Sequence, residues 1–139
     1  MNLIVSMRSK ILEGLADALV TNVPELERAI YFYDESGEVE LCKVYFYSVE
    51  TPSTSGGKAT YRFYAKDGST VIRGTVGDNE GTVKSFKISG CVPPSTSPVD
   101  DFITGTVGGL TSSADMKFNK TLWQTGMNIT ISNLYLVMR

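Results

Sequence analysis

The chain has 139 residues, 42% of them hydrophobic, with a net charge of −2 and no histidine. That length and apolar content suit one globular domain and exclude a disordered chain. The near-neutral charge gives no general attraction to nucleic acid or anionic membrane, and no apolar run is long enough to cross a bilayer as a helix. Without histidine, the side chain that most often moves protons or binds metal near neutral pH is missing.

Ile4, Met7, Ile11, Leu15 and Leu19 recur at spacings of three and four, which predicts an amphipathic helix over residues 5–20. Thr21-Asn22-Val23-Pro24 stops it, because Pro cannot continue a helix and Asn tolerates the left-handed cap. Met1 to Val5 lacks the charged region and cleavage site of a secretory signal, so assembly in a cytoplasm is expected. The expected organisation is a helical segment over 1–24 and a β domain over 25–139.

From Ala29 the period changes to two. Ile30 and Phe32 share one face of a strand, with Tyr31 and Tyr33 opposite, and Asp34-Glu35-Ser36-Gly37 is a turn. Val39 to Val49 reads as one strand, with Cys42, Val44 and Phe46 on one face and Leu41, Tyr45 and Tyr47 on the other. A Ser/Thr/Gly loop follows, then a strand over Ala59 to Ala65. Lys66-Asp67-Gly68-Ser69 predicts a hairpin returning as Thr70 to Val76. Further strands are expected over Val83–Ile88, Phe102–Val107, Asp115–Phe118 and Met127–Val137. The prolines of residues 91–98 exclude a central strand there. In the last strand Ile129 and Ile131 keep one parity and Leu134 and Leu136 the other, so it is buried on both faces or bulged near Asn133. About eight strands with one N-terminal α-helix predict a mainly β fold, an antiparallel β-sandwich or jelly roll. Gly74-Thr75-Val76-Gly77 recurs as Gly105-Thr106-Val107-Gly108, which reads as composition bias in turns.

Chemistry is sparse. Cys42 and Cys91 sit in apolar surroundings and read as buried free thiols, with a disulfide left open. Asp100, Asp101 and Asp115 lack a calcium-loop spacing. Asp34, Glu35, Glu38 and Glu40 flank a turn, where carboxylates face water rather than form a glycosidase pair. No catalytic residue, metal or cofactor is expected. Tyr31, Tyr33, Tyr45, Tyr47, Tyr61 and Tyr64 fall on adjacent strands, a set suited to packing, a protein interface or a ligand platform. Residues 25–50 are mainly acidic and 58–87 mainly basic, so either copies dock side to side or neighbouring strands neutralise one another.

The stretch from Ala59 to Gly77, an aromatic strand, an Asp-Gly turn and a β-branched strand ending Gly-Thr-Val-Gly, resembles small structural proteins of tailed bacteriophages. Asp115 to Asn119 and Gly126 to Leu134 are similar to the C-terminal strands of those proteins, and Met7 to Leu12 to their starts. Residues 78–104 depart from that pattern and look like an insertion. The resemblance implies a non-enzymatic virion protein, a head decoration (cement) protein that bridges neighbouring major capsid subunits. A tail, baseplate or connector component and a carbohydrate-binding module are the alternatives. It implies the major capsid protein or other virion proteins as partners, self-association as a dimer or trimer, and no nucleic acid or membrane. The expected contact residues are Met7, Ile11 and Leu15 on the helix and Tyr45 and Tyr47 on a strand. Pro52 and Thr54 in one loop, and Pro94, Thr96, Pro98 and Phe102 around the other, complete the set.

Overall fold

The computed structural model describes residues 2–3, 18–21, 23–50, 54–55, 58–91 and 97–138. The predicted mainly β fold is what is observed. In chain order the strands are β1 (Asn2–Leu3), β2 (Ala29–Tyr33), β3 (Glu40–Tyr45), β4 (Ser48–Glu50), β5 (Thr54–Ser55), β6 (Lys58–Tyr64) and β7 (Val71–Thr75). They continue as β8 (Gly81–Thr82), β9 (Ser85–Gly90), β10 (Val99–Gly109), β11 (Met116–Phe118), β12 (Leu122–Trp123), β13 (Asn128–Ser132) and β14 (Tyr135–Met138). Most of the predicted helix lies outside the described residues. Residues 18–20 are helical, and Ala18 and Leu19 are buried in the core, where the Cys91 amide donates to the Ala18 carbonyl at 2.6 Å.

The main sheet has eight strands, in the order β1-β10-β9-β2-β3-β7-β13, with β11 parallel to β10. A second sheet has the order β14-β6-β4, with β5 also on β6, and β8 pairs with β12. The two larger sheets are one structure bent at a corner. β3 passes into β4 through Phe46 and Tyr47, β6 into β7 through residues 65–70, and β13 into β14 through Asn133 and Leu134. The same three passages lie side by side in both sheets, β3-β7-β13 becoming β4-β6-β14. Backbone bonds cross the corner from Tyr47 to the Tyr64 carbonyl at 2.8 Å and from Asn133 to the Thr70 carbonyl at 3.0 Å.

This corner corrects two expectations and accounts for a third. The strand predicted over Val39 to Val49 is two strands in two sheets. The Asp-Gly turn is present, with Gly68 donating to the Ala65 carbonyl at 3.0 Å, but it carries the chain between sheets instead of closing a paired hairpin. Asn133, with φ of 54°, is where β13 ends and β14 begins, and this accounts for the switch in apolar parity.

The inner faces of both sheets share one core. Phe46 and Phe63 meet edge to face at the corner, with centroids 4.9 Å apart. Further in, Trp123 packs at 5.2 Å from both Phe32 and Phe118, and its indole N–H donates to the Lys120 carbonyl at 2.8 Å. Residues 78–104 are no detachable insertion. Their strand β9 lies between β2 and β10 and contributes the buried Phe86 and Ile88. The Gly-Thr-Val-Gly echo lies within β10 and at the end of β7, not in turns, and has a packing reason. In each copy the valine, Val76 or Val107, is buried, and the first glycine permits a close approach. A Cβ on Gly74 would strike the Lys43 carbonyl of the neighbouring strand, and one on Gly105 would strike the Phe86 ring, its direct cross-strand partner.

Two substitutions test this packing by denaturant unfolding. Trp123→Ala is expected to cost about 3–5 kcal/mol, since the ring is fully buried and its neighbours are rigid aromatics. Gly74→Ala is expected to cost about 1–3 kcal/mol by forcing two strands apart. A change under about 0.5 kcal/mol in either variant contradicts the packing described.

Candidate functional site

The corner that joins the sheets also builds an apolar groove on the surface. The short 3-10 turn Glu25–Glu27 precedes β2 and leaves Leu26 80% exposed, a high value for a large aliphatic side chain. Tyr45 at the end of β3 and Tyr47 in the link to β4 are 43% and 38% exposed. Together with the half-buried Ala65 and Val71 they line a mainly apolar groove of about 320 Å³. Buried Phe46 lies beneath, and Glu25, Lys66 and Arg73 complete the lining.

Tyr47 is held from several directions. The Arg28 guanidinium lies 5.5 Å and the Lys66 ammonium 5.8 Å from the centre of its ring. Arg28 also donates to the Tyr47 carbonyl at 3.2 Å and to the Val23 carbonyl at 3.0 Å, and the Phe46 amide donates to the Arg28 carbonyl at 2.9 Å. Lys66 is paired with Glu25 at 3.0 Å, and that hydrogen bond, helped by the carboxylate's charge, pushes the Lys66 pKa up. An aromatic ring fixed before any partner arrives loses little entropy when it is covered.

The six tyrosines do not form one face. Tyr61 is buried in the core, and Tyr64 lies on the second sheet, donating to Glu50 at 2.5 Å. Tyr31, Tyr33 and Tyr45 lie on the outer face of the main sheet, where Tyr31 sits in register between Lys43 and Lys87. Lys43 lies 5.7 Å from the Tyr31 ring centre and Lys87 lies 4.8 Å from that of Tyr33, so cations already occupy positions over these two rings. Register brought Lys87 beside these tyrosines from about 55 residues away, which no local pattern announces. The acidic and basic stretches of the sequence meet within the subunit at Lys66–Glu25, 3.0 Å apart, while Lys43–Glu40, at 3.8 Å, pairs within the acidic stretch.

The other expected contact residues divide as follows. Met7, Ile11, Leu15, Pro52, Pro94 and Thr96 lie outside the described residues. Thr54 is in β5, paired with Ala59, and Pro98 is half-buried before β10. Phe102 is a correction. It is fully buried, its ring covering Gly90, and is part of the core instead of the contact surface. Its place after a proline-rich segment suggested exposure, but a bulge in the pairing of β10 with β9 turns it inward. Leu26 was missed, since one apolar residue between acids in a three-residue turn carries no periodicity.

Among the titratable groups considered from the sequence, Asp34 and Asp115 hold local backbone in place. The Asp34 carboxylate accepts from the Ser36 hydroxyl at 2.6 Å and from its amide at 3.0 Å, and the hydroxyl bond leads in holding its pKa below the usual carboxylate value. Asp115 accepts from the Thr106 amide at 2.9 Å and from its hydroxyl at 3.1 Å, clamping the connection after β10. Cys42 and Cys91 are both buried, and neither is joined in a disulfide. Burial, helped by the charge of Glu40, pushes the Cys42 thiol up from 9.0 to about 11. The native state therefore holds this proton more tightly than the unfolded chain. The associated stability is complete below about 9.0 and is lost as pH rises toward about 11. Native protein is expected to resist thiol labelling at mildly alkaline pH and to react fully once unfolded; rapid native labelling of Cys42 contradicts its burial.

The chain matches no protein-family model, no curated protein and no solved structure.

Proposed function

We propose that this chain is a non-enzymatic structural protein of a tailed-bacteriophage particle, acting as a head decoration protein that clamps neighbouring shell subunits. The observation that carries a docking role is the corner groove, where Leu26, Tyr45 and Tyr47 are exposed together on a rigid bend between two sheets. Exposed aliphatic and aromatic side chains grouped in this way mark protein-binding surfaces, and tyrosine is among the residues that most often carry binding energy. The phage assignment is supported by the resemblance of Ala59–Gly77 and of the C-terminal strands to small virion proteins. In such a lattice each contact is repeated, so a modest interface per copy multiplies into resistance of the whole shell to rupture.

Quantitative mass spectrometry of purified virions tests the location. A copy number comparable to that of the shell protein is expected. A few copies per particle move the chain to the tail or connector, and absence from particles removes the reading. The groove is tested by Tyr47→Ala and Leu26→Ser. Each is expected to weaken attachment to shells lacking the protein by about 2 kcal/mol if it acts as a hot spot, while the unfolding midpoint stays close to that of the wild type. Full attachment by both variants would overturn the groove as the docking site.

A further inference from the structure

The two edges of the main sheet are finished differently. Along β10 the edge is occupied twice, by β1 at Ile103–Thr104 and by β11 at Val107–Gly109. The other edge is β13, and among the described residues no strand pairs with its outer side. Its backbone direction is fixed by the ladder it makes with β7. The Val76 amide donates to the Met127 carbonyl at 2.9 Å, and the Asn133 amide to the Thr70 carbonyl at 3.0 Å. Hydrogen-bonded pairs alternate in an antiparallel ladder, so Ile129 and Ile131 bond to β7. Asn128, Thr130 and Ser132 therefore direct their N–H and C=O groups outward, to the open edge.

Open edges in native proteins usually carry a lysine, a proline or a bulge that discourages pairing. This one has none of them. No residue from Thr121 to Met138 is charged or proline, and the register with β7 is unbroken from Asn128 to Ser132. We propose that a second copy of this chain pairs antiparallel with β13 about a two-fold axis through Thr130, joining two main sheets into one.

The occupant is argued from self-complementarity. With the axis at Thr130, each Thr130 faces its counterpart, Asn128 faces Ser132 of the second copy, and Ile129 faces Ile131. The first two pairings place exposed polar residues together on the outer face, and the third extends the buried inner face across the junction. Asn128, Thr130 and Ser132 then exchange both backbone bonds with their opposites. No like charges are opposed, whereas a charged strand meeting its own copy would repel itself. The nearest cation in the row is Arg73, the partner of Thr130 in β7. Its counterpart would lie three inter-strand spacings away, roughly 14 Å, beyond the screening length of about 8 Å in physiological salt. The pairing is a property of this edge and does not depend on what the Tyr45–Tyr47 groove holds.

Sedimentation velocity over a range of concentrations tests the proposal with the full chain. The wild type is expected to dimerise. Thr130→Pro removes an outward N–H without touching the ladder to β7, and is expected to leave a folded monomer. Thr130→Glu faces Arg73 within its own chain but another glutamate across the axis, and is expected to weaken dimerisation roughly tenfold or more. Thr130→Lys is expected to be similarly weak alone, and mixing it with Thr130→Glu to restore the dimer. Circular dichroism confirms that each variant is folded. A wild type that stays monomeric at all concentrations overturns the proposal. So does a dimer unaffected by both Thr130→Pro and Thr130→Glu, or a charge-paired mixture that fails to associate.

Discussion

The contact on which most of this structure depends is the edge-to-face meeting of Phe46 and Phe63, at 4.9 Å and 89°. Phe46 belongs to the link between β3 and β4, and Phe63 to β6, so the pair sits where three adjacent strand passages turn from one sheet into another. Burying the two rings against each other stabilises the bend, and the backbone bonds from Tyr47 and Asn133 keep the passages in step around it. Bending all three together keeps the ladder nearly continuous and leaves few backbone groups unpaired at a point where a sheet would otherwise end.

The bend has a surface consequence. On its inner side Phe46 is buried, and on its outer side the residues before and after it, Tyr45 and Tyr47, are exposed. Alternation along an extended chain makes this unavoidable once Phe46 is committed to the core. Arg28 then fixes Tyr47 through its carbonyl and its ring, while the Lys66–Glu25 pair stands beside it. The groove is thus a by-product of the core made specific by charged neighbours, with Tyr45, Val71 and Arg73 on strands and Leu26, Tyr47 and Lys66 on the connections beside them.

Elsewhere the sheet is tuned by how closely backbones approach. Gly74 lets β7 pass over the Lys43 carbonyl, and Gly105 accepts the Phe86 ring from the next strand. Both sites exchange side-chain volume on one strand for backbone or ring on its neighbour, which keeps the interior dense. The aromatic set of Phe32, Phe118 and Trp123 fills the space beside β8 and β12, with the indole N–H satisfied by the Lys120 carbonyl. The protein invests its largest side chains where short strands alone would bury little.

Local alternation determined much of this. The period-two pattern placed β2, β6 and β7 within a residue or two and put Ile30 and Phe32 together on one strand face, which is the buried one, because burial of one strand face is written directly into neighbouring residues. The parity change after Ile131 marked the break at Asn133 for the same reason. Tertiary structure alone decided which strands are neighbours. Strand order places β9 inside the main sheet, sends the chain through the Asp-Gly turn to a different sheet, sets Lys87 beside Tyr31 and hides Phe102. Each of these depends on pairing between residues distant in the chain. A strand's own sequence specifies which of its faces is apolar, but not the partner that will cover it.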